Sequence, residues 1–228
     1  MLNQNQTIMK TKWMLLIGIA VLFSCKKESI DLSNGDAVIA STDYFPLKVG
    51  NYWVYENYQI NDLTGEETKL AQTDSIIITR EKGINGKVYF VLEGTSYPLY
   101  SPERTVLDMI RDSAGYLVNK NGTVLFSANN FTDTLARKTE SIEGQPIYNL
   151  AYVMENSSTD IRVPAGDFNA LNFKGILVTP EKIQNAINPR YLNNYYAKDI
   201  GRILQTFYYV SNPLKFEKRL VRYHVQSE

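Results

Sequence analysis

Cysteine and histidine each occur once in this 228-residue chain, and those two scarcities exclude a good deal. A lone cysteine forms no disulfide within the chain, and one cysteine with one histidine cannot build a Cys/His zinc site. A Ser-His-Asp set would have to use His224, which sits in the alternating run Arg222-Tyr223-His224-Val225. No Gly-x-Ser-x-Gly elbow accompanies it. Gly-rich phosphate loops and the Asp/Asn spacing of a calcium loop are missing too. The expectation is no catalytic residues, no metal and no cofactor. Excess charge is also absent, with 24 basic against 24 acidic residues. A near-neutral chain lacks the long-range field that gathers polyanions, so nucleic acid is not an expected partner. The basic stretch Lys215 to Arg222 reads as a strand, with Phe216, Leu220 and Val221 packed and its charges on a wet face.

Aromatic residues are plentiful, with 16 Tyr, 9 Phe and 2 Trp. Tyrosine suits pleated, half-wet surfaces, where its ring packs and its hydroxyl reaches water. Carboxylate pairs are few. Glu66-Glu67 follows Leu63-Thr64-Gly65 and reads as a solvated hairpin tip rather than half of a glycosidase pair.

The one long apolar run is Trp13 to Phe23, preceded by Lys10 and Lys12. A positive start followed by an apolar segment of this length is the pattern of a signal peptide. It falls short of the roughly 20 residues that a spanning helix needs. The run ends in Leu22-Phe23-Ser24-Cys25, which resembles a bacterial lipobox, with Phe23 bulkier than the usual residue at its position. The resemblance implies cleavage before Cys25 and acylation of that cysteine. Several acyl chains, at about 0.8 kcal/mol per buried CH₂, make a durable anchor. Lys26-Lys27-Glu28 resembles the start of many Bacteroidota lipoproteins. Lys26 is not the aspartate that retains enterobacterial lipoproteins in the inner membrane, so the outer membrane is expected, with the leaflet open. Residues 1–24 are then a leader, 25–42 an acylated cysteine and polar tether, and 43–228 a single domain.

From Tyr44 onward the pattern is short β-type runs between turn residues. The runs are 52–58, 75–80, 87–93, 105–111, 116–119, 123–126, 148–154, 160–163, 168–178, 202–210 and 216–225. Lys120-Asn121-Gly122 is the plainest hairpin among them. One helix is expected near Glu181 to Asn188, after Pro180. The fold class is therefore mainly β: a curved antiparallel sheet or half-barrel of about ten strands, with one short helix.

Three segments resemble a recurring pattern in secreted bacterial lipoproteins. Tyr44 to Tyr55 (YFPLKVGNYWVY) resembles an FPLxxGNxWxY opening, and Val163 to Phe168 (VPAGDF) a VPAGxF turn. Tyr195 to Ile203 (YYAKDIGRI) resembles YYAxGVGxV, with Asp199 where that family usually has glycine. The resemblance implies a curved sheet similar to lipoprotein-carrier half-barrels. Physically, Gly, Pro and core aromatics are what turns and sheets demand, so these motifs are assigned to fold.

The leading expectation is a non-enzymatic binding module at the cell envelope, taking an apolar ligand or a protein partner. Its sharper form places an apolar ligand inside the curved sheet, against Trp53, Tyr55, Phe90 and Phe173. The alternatives are a structural or assembly component of the outer envelope and, further off, a carbohydrate-active hydrolase. Ser75, Ser113 and Thr134 lie in Asp-Ser/Thr-apolar tripeptides that resemble Bacteroidota O-glycosylation acceptors.

Overall fold

A computed structural model describes residues 38–96, 105–180, 187–209 and 213–226. The expected signal peptide, Cys25 and most of the expected helix lie outside them. Among the described residues the one helical element is a single 3₁₀ turn, Ser41–Asp43, and everything else regular is strand.

Fourteen strands occur among the described residues: β1 (Tyr52–Asn61), β2 (Glu67–Ile84), β3 (Lys87–Gly94), β4 (Thr105–Ser113), β5 (Tyr116–Asn119), β6 (Val124–Ser127) and β7 (Ala136–Ile142), then β8 (Gln145–Met154), β9 (Thr159–Val163), β10 (Gly166–Val178), β11 (Arg190–Leu192), β12 (Asn194–Ala197), β13 (Gly201–Tyr208) and β14 (Leu214–His224). All pairings are antiparallel. The sheet order β6-β5-β4-β3-β2-β1-β14-β13-β12-β10-β8-β7 is chain order wrapped into a ring, with β9 and β11 as extra partners of β10.

This is an up-and-down meander whose first and last strands zip together over ten residue pairs, Tyr52 with His224 to Asn61 with Leu214. One seam stays open, between β6 and β7. What ties β6 beyond its ladder is side-chain contact with β12. The Tyr196 hydroxyl reaches the Leu125 carbonyl at 3.4 Å, and the Phe126 and Tyr196 rings lie 4.6 Å apart. Near-closure answers the problem of unpaired sheet edges.

Three strands, β7, β11 and β12, lie outside the expected runs, and for β7 there is a physical reason. β7 reads Ala-Arg-Lys-Thr-Glu-Ser-Ile and is mostly exposed. It is a charged edge strand with no apolar alternation to betray it, of the kind that blunts edge-to-edge pairing. The turn that follows uses positive φ at both Glu143 (50°) and Gly144 (76°), the requirement of a type I′ hairpin. At the expected Lys120-Asn121-Gly122 hairpin the device differs from the Asn-Gly one. The Asn119 carboxamide oxygen accepts from the amides of Asn121 and Thr123, and of the turn residues Gly122 takes the left-handed conformation.

The domain also begins earlier than Asp43. Ile39 exchanges hydrogen bonds with the Asn129 side chain, and Ser41 donates its amide and hydroxyl to the Asp112 carboxylate. The end of the expected tether is thus docked on the sheet. Among the expected acceptors, Thr134 is exposed, whereas Ser75 and Ser113 are half-buried within strands.

Candidate functional site: the barrel interior

Inward residues alternate along β1, where Trp53, Tyr55 and Asn57 are buried, and along β2, where Asp74, Ile76 and Ile78 are. On β14 the inward set is Phe216, Lys218 and Leu220. This period-two pattern is what a one-sided sheet imposes. It also carries two charged residues into the interior.

One layer of that interior is packed solid. Trp53 is fully buried, stacks on Phe45 at 4.7 Å, and donates its indole N–H to the Ile200 carbonyl at 2.7 Å. Gly201 lies against the same indole; a Cβ there would stand 2.8 Å from Trp53 Nε1. Next to it, Asp199 takes φ 61°, the left-handed conformation for which the resembling motif uses glycine. Ala165 donates its amide to the Leu220 carbonyl, tying the Val163–Phe168 turn to β14. The three motif segments therefore meet around one aromatic layer, and their work is structural.

The neighbouring layer is a cavity of about 430 Å³. Its apolar wall includes Ile76, Leu92, Leu107, Ile110, Leu117, Leu125, Tyr152 and Phe173, the last stacked on Tyr152 at 4.8 Å. Its polar wall is Asp108, Asn194, Arg202, Gln205 and Lys218. Residues from both sides of the open seam, Val124 and Leu125 on β6 and Ala136 on β7, line it as well.

Lys218 and Asp74 form a buried ion pair at 2.7 Å, and Lys218 also donates to Ser96 Oγ at 2.8 Å. Burial pulls the Lys218 ammonium below its ordinary range, and the Asp74 carboxylate works against that. Asp108 is shifted the other way for an acid: burial raises its carboxyl, although the Met109 amide, donating at 2.7 Å, partly offsets it.

Arg202 is placed by a β-bulge. Between Tyr195 and Tyr196 the β12–β13 register shifts, so that Tyr196 pairs with Arg202 and Tyr195 with Leu204. Paired residues leave the sheet on one face, and a bulge is a usual device for re-aiming a side chain next to a site. The guanidinium interacts with the hydroxyls of Tyr55 and Tyr196. Tyr55 in turn donates to the Arg202 carbonyl at 2.7 Å, and burial pushes its phenol up to about 12. Arg202 is densely surrounded by protein yet keeps some accessible surface, because the cavity it faces can admit water. Its Nε is buried without a hydrogen-bond partner, and among the described residues no carboxylate comes within ion-pair distance of it. A guanidinium is always charged, so this is an interior cation with open donor capacity.

Of the four residues expected to meet a ligand, Phe173 lines the cavity. Tyr55 stands behind it, at Arg202. Trp53 belongs to the solid layer and Phe90 packs half-buried at the margin of the core, so neither faces the cavity. Arg202, Lys218 and Asp108 were not singled out by the sequence. Phase was the signal for Lys218, since it alternates with Phe216 and Leu220. Arg202 gave none, because the bulge that aims it inward is a tertiary feature.

No protein-family model matches the chain, and no curated protein does. Among solved structures it is similar to one from Bacteroides fragilis described as an exported protein with a YmcC-like fold. That likeness has 13% identity and a TM-score of 0.49, over 79% of this chain and 98% of the other. It is also similar to a structure from Parabacteroides distasonis described as a lipoprotein, with 14% identity and a TM-score of 0.42, over 83% of this chain and 100% of that one.

Proposed function

We propose that this chain is a lipid-tethered, non-enzymatic binding protein of the cell envelope that holds an apolar-bodied ligand inside its open barrel. The observation that carries this reading is the cavity beside the solid layer. Protein interiors pack to crystal-like density, and buried charges are costly without compensation. A barrel selected for stability alone would extend the aromatic filling of the Trp53 layer instead of keeping 430 Å³ open beside Arg202. Pockets of about 300–1,000 Å³ with mostly apolar walls and a few placed polar groups are the usual form of small-molecule sites. The lipobox-like ending at Cys25 supports the tether, and the open seam between β6 and β7 is the natural place for a ligand to enter.

The direct test is native mass spectrometry of detergent-free protein prepared from its own membranes, followed by solvent extraction. Co-purifying mass that extraction removes is the expected result. An empty protein that also fails to bind a fluorescent hydrophobe would sink the reading. For the tether, Cys25→Ala should abolish incorporation of labelled fatty acid and leave uncleaved precursor; unchanged labelling would overturn acylation at that residue.

A further inference from the structure

We infer that the ligand is an amphiphile with a single carboxylate, its head on the Arg202 guanidinium that Tyr55 and Tyr196 hold in place, and its chain along the Leu92–Leu117–Phe173 wall. This inference rests on reading the cavity as a ligand site and adds the chemistry of the ligand's polar end.

The case is one of charge and donor accounting inside the barrel. Two cations face the cavity, Lys218 and Arg202. Lys218 is already neutralised by Asp74 at 2.7 Å. Among the described residues the side chains that hydrogen-bond the Arg202 guanidinium are neutral phenols, and its Nε has no acceptor. An unpaired guanidinium inside a protein is expensive and is normally matched by an anion. Asp108 lies on the same cavity and feels the Arg202 charge, but the two form no ion pair, and burial raises the Asp108 carboxyl. The missing partner is therefore an acceptor with one negative charge.

A guanidinium presents its donors in a planar fork that matches a carboxylate's two oxygens. The Tyr55 hydroxyl already donates to the Arg202 carbonyl at 2.7 Å and that of Tyr196 to the Leu125 carbonyl at 3.4 Å, so both rings are held in place around the fork. A phosphomonoester head would bring a second charge and need a second free cation, which the Asp74 pairing of Lys218 withholds. The rest of the wall is hydrocarbon and ring, which asks for an alkyl or prenyl body.

The test is calorimetric titration of the full mature chain, free of detergent and near neutral pH, with dodecanoate, dodecanol and dodecylamine. Dodecanoate should bind roughly tenfold to a hundredfold tighter than dodecanol, the worth of a charge-assisted hydrogen-bond pair. Arg202→Met should erase that preference, so that acid and alcohol bind alike. Tyr196→Phe should narrow it about threefold, as loss of one neutral hydrogen bond would. Equal affinity for acid and alcohol in the native chain overturns the carboxylate assignment while leaving the cavity reading intact. A preference for the amine overturns it too, by moving the polar end to Asp108. Failure of all three to bind overturns the cavity reading itself. Should Arg202→Met not fold, the acid-against-alcohol comparison on the native chain still decides the matter.

Discussion

Two adjacent layers of the same barrel are built on opposite principles. Around Trp53 the interior is dry and full, with stacked rings, an indole N–H satisfied by a backbone carbonyl, and a glycine that leaves room for it. Around Arg202 it is open and charged, with an ion pair, an unpaired guanidinium and an acid whose carboxyl burial raises. The strands and their twist are shared, so the sheet does not explain the difference. The first layer lowers the free energy of the fold, while the second keeps groups that folding would prefer to be rid of. Such groups persist where binding uses them.

The contrast is broken most severely by emptying the full layer. Trp53→Ala should cost about 3–5 kcal/mol, the usual range for a large aromatic removed from a core. Urea denaturation would show it as a lowered midpoint at unchanged slope. A loss under 1 kcal/mol would mean that the layer is not the keystone described here. Next is Asp74→Asn, which strands Lys218 as an unpaired buried cation and should cost about 3 kcal/mol. The double variant Asp74→Leu with Lys218→Met removes both charges and should recover most of that loss by the same measurement. If the double variant is as unstable as the single one, the pair is a net stabiliser and the charged layer belongs to the fold after all.

Gly201→Ala tests the boundary between the layers. Its Cβ would meet the Trp53 indole at 2.8 Å, and φ is 112°, so crowding and backbone strain together should cost about 1–3 kcal/mol. Arg202→Met sharpens the contrast from the other side. Replacing an unpaired buried cation by an apolar side chain should raise stability by about 1 kcal/mol or more. That gain in denaturation, beside the loss of acid preference expected in titration, would separate a binding role from a structural one.

How much of this was legible in the sequence follows from what each layer is made of. The full layer announced itself, because packing uses residue types with few other employments. Phe45, Pro164 and Gly201 stand in segments read as fold-determining, as does Trp53, which was also expected to meet a ligand. The sheet itself was legible wherever one face was apolar, as at Ser75 to Arg80 or Phe168 to Val178. It was not legible at β7, where Arg137, Lys138 and Glu140 make an edge strand that resembles a loop. The charged layer was half hidden. Lys218 shared the phase of Phe216 and Leu220, and Asp74 that of Ile76 and Ile78, so period two already pointed both inward. Assigning all the charges of Lys215 to Arg222 to a wet face passed over that phase, since Lys218 is buried. Arg202 could not be placed at all, since a single extra residue in a bulge reverses the face of everything beyond it.

The smallest expected effect is one of acidity, and it tests whether the open layer resists ionisation. The Asp108 carboxyl is held above its ordinary value of 3.8, chiefly by burial. The folded state therefore keeps this proton more tightly than the unfolded chain does. Well below 3.8 both states hold it and the residue is neutral in its effect. As pH rises through that value the unfolded chain releases the proton first, and stability falls until the folded carboxyl also ionises. The surface carboxylates contribute with the opposite sign. Glu67, with its Arg219 partner, sits below its ordinary value and loses its contribution as pH falls. A raw stability profile mixes the two, but Asp108→Asn separates them. The variant should match the native chain at the acid end and become the more stable of the two as pH rises past the carboxylate range. Equal curves throughout, measured by urea midpoints across that range, would mean that water in the cavity solvates Asp108 as bulk water does. The open layer would then be wet enough to need no ligand to satisfy Arg202, and the carboxylate assignment would lose its main physical support.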